Sequence, residues 1–501
     1  MPAFDNERYL KAQKERILER VNTTSHRLYL EFGGKLIGDL HAARVLPGYD
    51  PNVKIRLLQQ LSDQADIIVC IHAADIQSGR RRADLGITYD RDAMRLIDDL
   101  RSRGVDVTAV VITRFNGEPA AAEFQKRLER HNIRVYLHKS IHGYPADIDH
   151  VVSDEGFGAN PWIEVTRPLV VVTGPGPNSG KMGTCLSQIY HEARQGHISQ
   201  YAKFETFPVW NLPLLHPVNI AYEAATANLK DANAIDSFHF EAYGKTSVNY
   251  NRDLQAFPLL RAVLNRLTGG KCPYQSPTDM GVNCIATGIV DDAAVQQAAN
   301  LEIARRYFQC YADCQLGRGD QETLDRMREI TVKANIDPQE RAVVKAARAA
   351  AEEGRARGKG SQGIFCGAAM QLPDGTIVTG KNSPLMHAAS SMVLNAIKKL
   401  AGIPDGLHLL LPEILESVAS FKDNLGAVRS PGLDVGEALI ALVVSANTNP
   451  GAKIALEHIQ TLARCDVHLT HIPSPGDESG LRRLGCSLTF DPVAPTKNLF
   501  L

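Results

Sequence analysis

The chain has 501 residues, with 55 Lys and Arg against 56 Asp and Glu and a formal net charge of −1 when histidine is neutral. That length exceeds a single core and predicts several domains, while the charge balance removes the electrostatic footprint of a nucleic-acid or anionic-membrane binder and leaves a small molecule as the expected partner. No apolar run is long enough to span a bilayer, and Met1-Pro-Ala-Phe-Asp-Asn-Glu-Arg8 holds no apolar signal core, so a cytoplasmic protein is expected.

Strand and helix signals alternate from residue 27 to residue 160. Leu28-Tyr-Leu-Glu-Phe32, Asp66-Ile-Ile-Val-Cys-Ile71, Asp106-Val-Thr-Ala-Val-Val-Ile112 and Arg134-Val-Tyr-Leu137 are separated by charged helical stretches, which predicts a parallel α/β layer. The first strand leaves through Glu31-Phe-Gly-Gly-Lys35, with His41, Arg44 and Asp50 close behind. Glycines let the backbone approach a ligand, and Lys35 with Arg44 suit a phosphate or carboxylate, so both are candidate substrate-binding residues. Arg80-Arg-Arg82 beside Asp84 reads as a salt-bridged, solvated surface. Asp75 and Asp90 sit at strand or loop ends, but no spacing selects them as acid–base groups.

The most informative stretch is Leu169-Val-Val-Val-Thr-Gly-Pro-Gly-Pro-Asn-Ser-Gly-Lys-Met-Gly-Thr184. A β-branched run, a glycine-rich turn and a helix beginning at Lys181 bring unpaired N–H groups and the positive end of a helix dipole to one point, where an anion can sit. The loop at 173–184 is therefore expected to bind phosphate through Gly174, Gly176, Asn178, Ser179, Gly180 and Lys181. Five residues separate Gly174 from Gly180 where the standard phosphate loop has four, and Met182 stands where that loop carries its magnesium-binding hydroxyl. These departures resemble the variant loop of CTP synthase and, more loosely, dethiobiotin synthetase; the resemblance implies ATP with magnesium, with Thr184 supplying the hydroxyl. The same glycines also fit a dinucleotide loop, with Glu205 as the ribose-binding acid, so the two cofactor classes stay open at this point.

Another strand, Ile198-Ser-Gln-Tyr-Ala-Lys203, runs into Lys203-Phe-Glu-Thr-Phe-Pro-Val-Trp-Asn211. Lys203, Glu205 and Asn211 should emerge at the carboxyl edge of the sheet, beside the phosphate site. In ATP-dependent ligases that this arrangement resembles, such a strand end serves magnesium and substrate, which makes Lys203 and Glu205 the candidate catalytic pair and Asn211 and His216 candidate substrate-binding residues. From 218 to 355 helical patterns dominate, predicting a mainly helical domain after an α/β domain over 1–217. Gly354 to Gly363 reads as a linker.

Residues 364–501 open with Gly367-Ala-Ala-Met-Gln-Leu-Pro-Asp-Gly-Thr-Ile-Val-Thr-Gly380, a hairpin around Asp374-Gly375, followed by Lys381-Asn-Ser-Pro-Leu-Met-His-Ala-Ala389 and an apolar helix. This is similar to the start of the cytidine-deaminase fold, in which a histidine or cysteine opening that helix holds zinc and a glutamate two residues later moves protons. Here His387 keeps the ligand position, Ala389 replaces the glutamate, and Pro412-Glu413-Ile-Leu-Glu416 takes the place of the thiolate motif. Hard carboxylates in place of soft sulfur argue against a zinc site, so a deaminase-like α/β scaffold put to other use is expected, with Lys381, Asn382 and Ser383 as ligand-facing groups.

Nine scattered cysteines, the closest pair being Cys310 and Cys314, suggest reduced thiols rather than a zinc ribbon. Nearly the whole length resembles a bacterial family built on domains of unknown function, some of whose members carry the loose label ATP-dependent peptidase. Its carriers are Leu30-Glu-Phe-Gly-Gly-Lys35, His41-Ala-Ala-Arg-Val-Leu-Pro-Gly-Tyr-Asp50, Asp84-Leu-Gly-Ile-Thr-Tyr-Asp90, Ser153-Asp-Glu-Gly-Phe-Gly158, Lys203-Phe-Glu-Thr-Phe-Pro208 and Ser276-Pro-Thr-Asp-Met-Gly-Val282. The peptidase label has no residue support, since His191-Glu192-Ala-Arg-Gln195 lacks the second histidine of a zinc helix. The expectation is an α/β enzyme, a homo-oligomer, that uses ATP and magnesium to activate or phosphorylate a small polar substrate; a dinucleotide-dependent oxidoreductase and a nucleotide sensor without turnover are the rivals.

Overall fold

The computed structural model describes residues 2–82, 87–424 and 432–495. The chain forms two compact units, Met1–Asn300 and Leu301–Leu501.

The first unit is built on a seven-stranded sheet. Its strands are β1 (Leu28–Phe32), β2 (Ala65–His72), β3 (Ala109–Thr113), β4 (Val135–Leu137), β5 (Leu169–Thr173) and β6 (Gln200–Phe204), and after the small hairpin β7 (Asn233–Ile235) and β8 (Val248–Tyr250) the chain returns to add β9 (Gly281–Val282). The spatial order is β4-β3-β2-β5-β1-β6-β9, with every pair parallel. All residues of β1, β3 and β5 are buried, as strands covered on both faces must be, and this is why they read as unbroken apolar runs. On one face Tyr29, Cys70, Val170 and Val172 pack with Leu186 and Ile189 of the helix Lys181–Arg194 and with Phe257 and Leu260 of the helix Asn251–Leu267.

The path of the chain locates a crevice. From β1 it moves two places one way to β2; from β5, the neighbour of β1, it moves two places the other way to β6. Neighbouring strands whose connections depart in opposite directions part at their carboxyl ends, and ligands of open α/β sheets bind there. The loops after β1 and β5 flank that point.

The expected boundaries at 217 and 355 do not coincide with the units. Within 218–300 the short strand β9 pairs with the end of β6, Lys203 opposite Gly281 and Phe204 opposite Val282, so this stretch completes the first sheet. At the other end the helix Ala342–Ala356 belongs with the C-terminal sheet, where Val343 and Ala347 pack on Ala369. Gly367 has no room for a side chain because the Ala347 carbonyl lies against it.

The second unit holds β10 (Gly367–Gln371), β11 (Ile377–Lys381), β12 (Asp466–Leu469) and β13 (Ser487–Phe490) in the order β11-β10-β12-β13. The strand β10 is antiparallel to both neighbours and β12 is parallel to β13. The predicted hairpin is present: Gly375 takes a left-handed φ of 87°, and the Leu372 N–H donates to the Thr376 carbonyl at 2.8 Å. Arg341 grips Asp466 through both carboxylate oxygens at 2.7 Å, and Arg305 adds a third contact at 2.8 Å, a buried ion cluster that ties helices to β12.

Candidate functional site

The glycine loop lies at the centre of the first sheet. It leaves β5, turns through Asn178 at φ 58° and Gly180 at φ 86°, and enters the helix Lys181–Arg194. Gly174 passes so close to the Cys70 carbonyl and to Ser179 Oγ that a β-carbon would collide with both. The buried Ser179 presents its carbonyl to Thr113 Oγ1, which donates at 2.8 Å, and the Arg114 guanidinium donates to the Asn178 carbonyl. The turn is thus clamped from the end of β3. Gly180 provides no capping side chain, so the first helical turn lacks a side-chain acceptor for its N–H groups. Lys181 folds back over the loop, its Nζ 3.5 Å from the Gly176 carbonyl and from Ser179 Oγ.

Thr184 is placed differently from its expected magnesium role. It is buried, and Cys70 Sγ donates to its hydroxyl at 3.4 Å from strand β2. Three residues into the helix, a side chain has turned from the helix mouth toward the sheet.

One strand beyond β1 stands a compact charged cluster. Lys203 is the penultimate residue of β6 and the register partner of Glu31 on β1, which is itself the partner of Val172 on β5, so Glu31 links this cluster to the strand that feeds the loop. The Lys203 Nζ is 2.7 Å from Glu205 Oε1 and 2.6 Å from Asp253 Oδ2, and the Tyr201 hydroxyl donates to Glu31 at 2.7 Å. Two carboxyl groups therefore hold one ammonium in a buried place, with Glu31 a third negative charge nearby. Burial alone would lower Lys203, but Asp253 first, then Glu205, raise it above the usual lysine range. Burial pushes Glu205 up to about 8, with Lys203 opposing and Asp253 reinforcing the shift. A cavity of about 20 Å³, room for about one water, touches Lys203, Glu205, Asp253, Trp210 and Met182 from the loop helix.

The remaining candidates scatter. Lys35 is exposed just past β1, and Arg44 is half-buried in the short helix Leu40–Val45. Asn211 is exposed. His216 is the N-cap of the helix Pro217–Ala225: its Nδ1 accepts from the Val218 N–H at 3.3 Å and its Nε2 faces Asp292 at 3.0 Å, so its two nitrogens serve the fold rather than a substrate. Arg80 pairs with Asp75 at 3.1 Å, Arg82 with Asp92 at 2.5 Å and Asp90 with Arg127 at 2.8 Å, while Asp84 lies outside the described residues. A residue absent from the sequence reading is Lys54. It is completely buried, 2.8 Å from Asp39, close under Gly34 in the loop after β1. Nothing in Asn52-Val-Lys-Ile55 separates it from an ordinary helix lysine.

In the second unit His387 caps no helix N–H; its Nδ1 is 2.7 Å from Asp477, which raises the imidazole against the opposing effect of burial. Glu413 and Glu416 are exposed on the helix Pro412–Asn424. Among the described residues no three His, Cys, Asp or Glu side chains converge as a metal site. Asn382 and Ser383 serve the backbone: Asn382 accepts from the Cys366 N–H and donates to the Ile364 carbonyl, and Ser383 accepts from the Leu385 and Met386 N–H groups. The nine cysteines are free thiols, and no helix among the described residues is long and apolar enough to cross a membrane.

The class is that of a two-unit α/β protein: an open parallel sheet with a glycine loop at its topological switch point, followed by a smaller mixed sheet. The chain belongs to the DUF1846 family, its residues 2–335 matching "Domain of unknown function DUF1846, N-terminal" and residues 339–500 the C-terminal counterpart. It is 50% identical over 498 residues to a UPF0371 protein of Clostridioides difficile (strain 630), with 99% of each chain covered. UPF0371 proteins of Clostridium tetani (strain Massachusetts / E88) and Clostridium botulinum (strain Alaska E43 / Type E3) match over 99% of each chain at 50% and 49% identity.

Proposed function

We propose that the first unit binds a nucleoside triphosphate with magnesium at the glycine loop and uses it to activate or phosphorylate a small polar substrate at the Lys203 cluster. One observation carries this reading. The clamped loop, with Lys181 folded over it, and the Lys203–Glu205–Asp253 group stand one strand apart at the same sheet edge. In this arrangement the first-turn N–H groups and Lys181 meet phosphate oxygens. Lys203 offsets charge on the substrate, and Glu205, whose carboxyl burial pushes up against the opposing pull of Lys203, serves as the acid–base group. Thr184 is buried and does not suit magnesium, so a metal ion arriving with the nucleotide would be held mainly by the phosphates themselves.

The dinucleotide reading fits less well. A ribose-binding acid belongs at the end of the strand next to the loop strand, whereas β6, which leads to Glu205, is separated from β5 by β1, and Glu205 is engaged by Lys203.

Thermal melts with ATP, GTP, NAD and NADP, with and without magnesium, test the proposal. A ligand at a hundred times its dissociation constant stabilises the fold that binds it by about 2.7 kcal/mol. ATP with magnesium should give such a shift, and Lys181→Ala should abolish it without lowering the melting temperature of the free protein. Identical melts with every nucleotide, or unchanged ATP binding by the variant, would remove the triphosphate reading.

For the second unit we infer a deaminase-like scaffold that does not use zinc. The hairpin β10–β11 leading to a helix that opens after His387 supports the likeness, and the exposed Glu413 and Glu416 with the His387–Asp477 pair support the other use. About one zinc per purified chain, lost in His387→Ala, would overturn it.

A further inference from the structure

The second unit contains an open cavity of about 730 Å³, in the range of small-molecule sites. Its walls are the end of β11, the turn that follows, the helix Ala388–Leu400 and the segment 407–410. Two properties of the lining decide what would suit it. Lys359, Lys381 and Lys398 reach it, and no described aspartate or glutamate lines it. The rest mixes neutral polar side chains, among them Ser391, Asn395 and His408, with an apolar wall in which Leu394, Leu409 and Leu410 are buried.

The lysines differ in what already satisfies them. Lys381 is held by Glu353 at 2.5 Å, beside the cavity. Lys398 is only 8% exposed, and its Nζ donates to a neutral acceptor, the Asp405 carbonyl, at 2.6 Å. An ammonium has three donors, and the Asp405 carbonyl takes one of them. An anion in the cavity supplies what is missing. The turn that forms one wall is fixed from within by Asn382 and Ser383, whose side chains hold the backbone, so the lysines meet a preformed site.

We propose that this cavity binds a small organic anion, a carboxylate or a phosphate carried on an apolar body, with Lys398 as its inner charge partner and the leucines covering the body. The site lies wholly within residues 358–415 and does not depend on nucleotide binding at the glycine loop.

The probe is 8-anilinonaphthalene-1-sulfonate, an anion on an apolar body, titrated into the full chain beside the uncharged N-phenyl-1-naphthylamine, with hydrogen exchange locating the bound dye. The anion should bind about one per chain, at least tenfold tighter than the neutral dye, and protect peptides spanning 379–398. Lys398→Met should weaken it at least tenfold. Ser391→Phe, which fills the cavity without touching a charge, should block both dyes and keeps the test open if the lysine variant does not fold. Lys181→Ala should leave dye binding unchanged while abolishing ATP binding, which separates this site from the first. Displacement by octanoate marks a carboxylate site, and displacement by octyl phosphate a phosphate site. Equal affinity for the two dyes, protection confined to other segments, unchanged binding in Ser391→Phe, or displacement by neither anion would overturn the proposal.

Discussion

Glu205→Gln tests the buried cluster directly. In the folded protein the Glu205 carboxyl rises from an ordinary 4.5 to about 8 because it is buried and lies near the charges of Asp253 and Glu31, which Lys203 only partly offsets. Between those two values the folded unit keeps a proton that the unfolded chain has released. Stability therefore falls as pH rises through that window; the contribution is complete below about 4.5 and gone above about 8. At about 1.36 kcal/mol per pH unit the interval sets an upper limit of about 5 kcal/mol. Relaxation around the ionised carboxylate beside Lys203 should reduce this to about 2–3 kcal/mol. Lys203 is raised above 10.5, so its own contribution is present throughout this window and is lost only at higher pH. Glutamine keeps the shape of the protonated acid and cannot titrate. The assay is urea unfolding from pH 5 to pH 9 followed by selectively excited tryptophan fluorescence, which reports on the first unit alone because the two tryptophans of the chain, Trp162 and Trp210, both lie in it. The wild type should lose about 2–3 kcal/mol more than Glu205→Gln across that range. Superimposable pH profiles would show that Glu205 is already ionised at neutral pH and would refute the reasoning.

Gly180→Ala should cost about 2 kcal/mol or more in the same fluorescence-detected unfolding, since a left-handed residue other than glycine is strained by about 1–2 kcal/mol and its β-carbon would meet the Thr113 side chain at 2.7 Å; an unchanged midpoint would show that the loop is not clamped as described. Arg341→Met removes the bidentate partner of Asp466 and the hydrogen bond to Thr489, leaving Arg305 alone against a buried carboxylate. A loss of about 3 kcal/mol should appear as lower hydrogen-exchange protection of β12 and β13, and undiminished protection there would count against it. His387 is raised above 6.5 by Asp477 once the opposing effect of burial is overcome, so it stabilises the second unit fully below pH 6.5 and ceases to do so as pH rises through its folded value. Asp477→Asn should bring the His387 titration down in histidine-resolved NMR; an unmoved titration would mean that some other group holds it.

The sequence by itself determined the first six strands of the first sheet and the turn between β5 and its helix. Strands buried on both faces leave continuous apolar runs, and Gly174 to Lys181 carries the turn chemistry in its own composition. It also determined the hairpin about Gly375, where two residues fix a local geometry. The strands β7, β8 and β9 are two or three residues long and too short to show a period, so the stretch after 217 reads as mainly helical. Only the tertiary structure decided that β5 inserts between β2 and β1 and that β9 closes the sheet beside Lys203, because strand order depends on which apolar faces find cover rather than on any local signal. The same holds for the side chains. Lys54 finds Asp39, His216 finds Asp292 and His387 finds Asp477 across 15, 76 and 90 residues. A charged residue shows its partner in sequence only when the two share a helix turn or a strand pair. For Lys203 and Asp253, 50 residues apart, folding had to bring the partners together before the chemistry of either could be read.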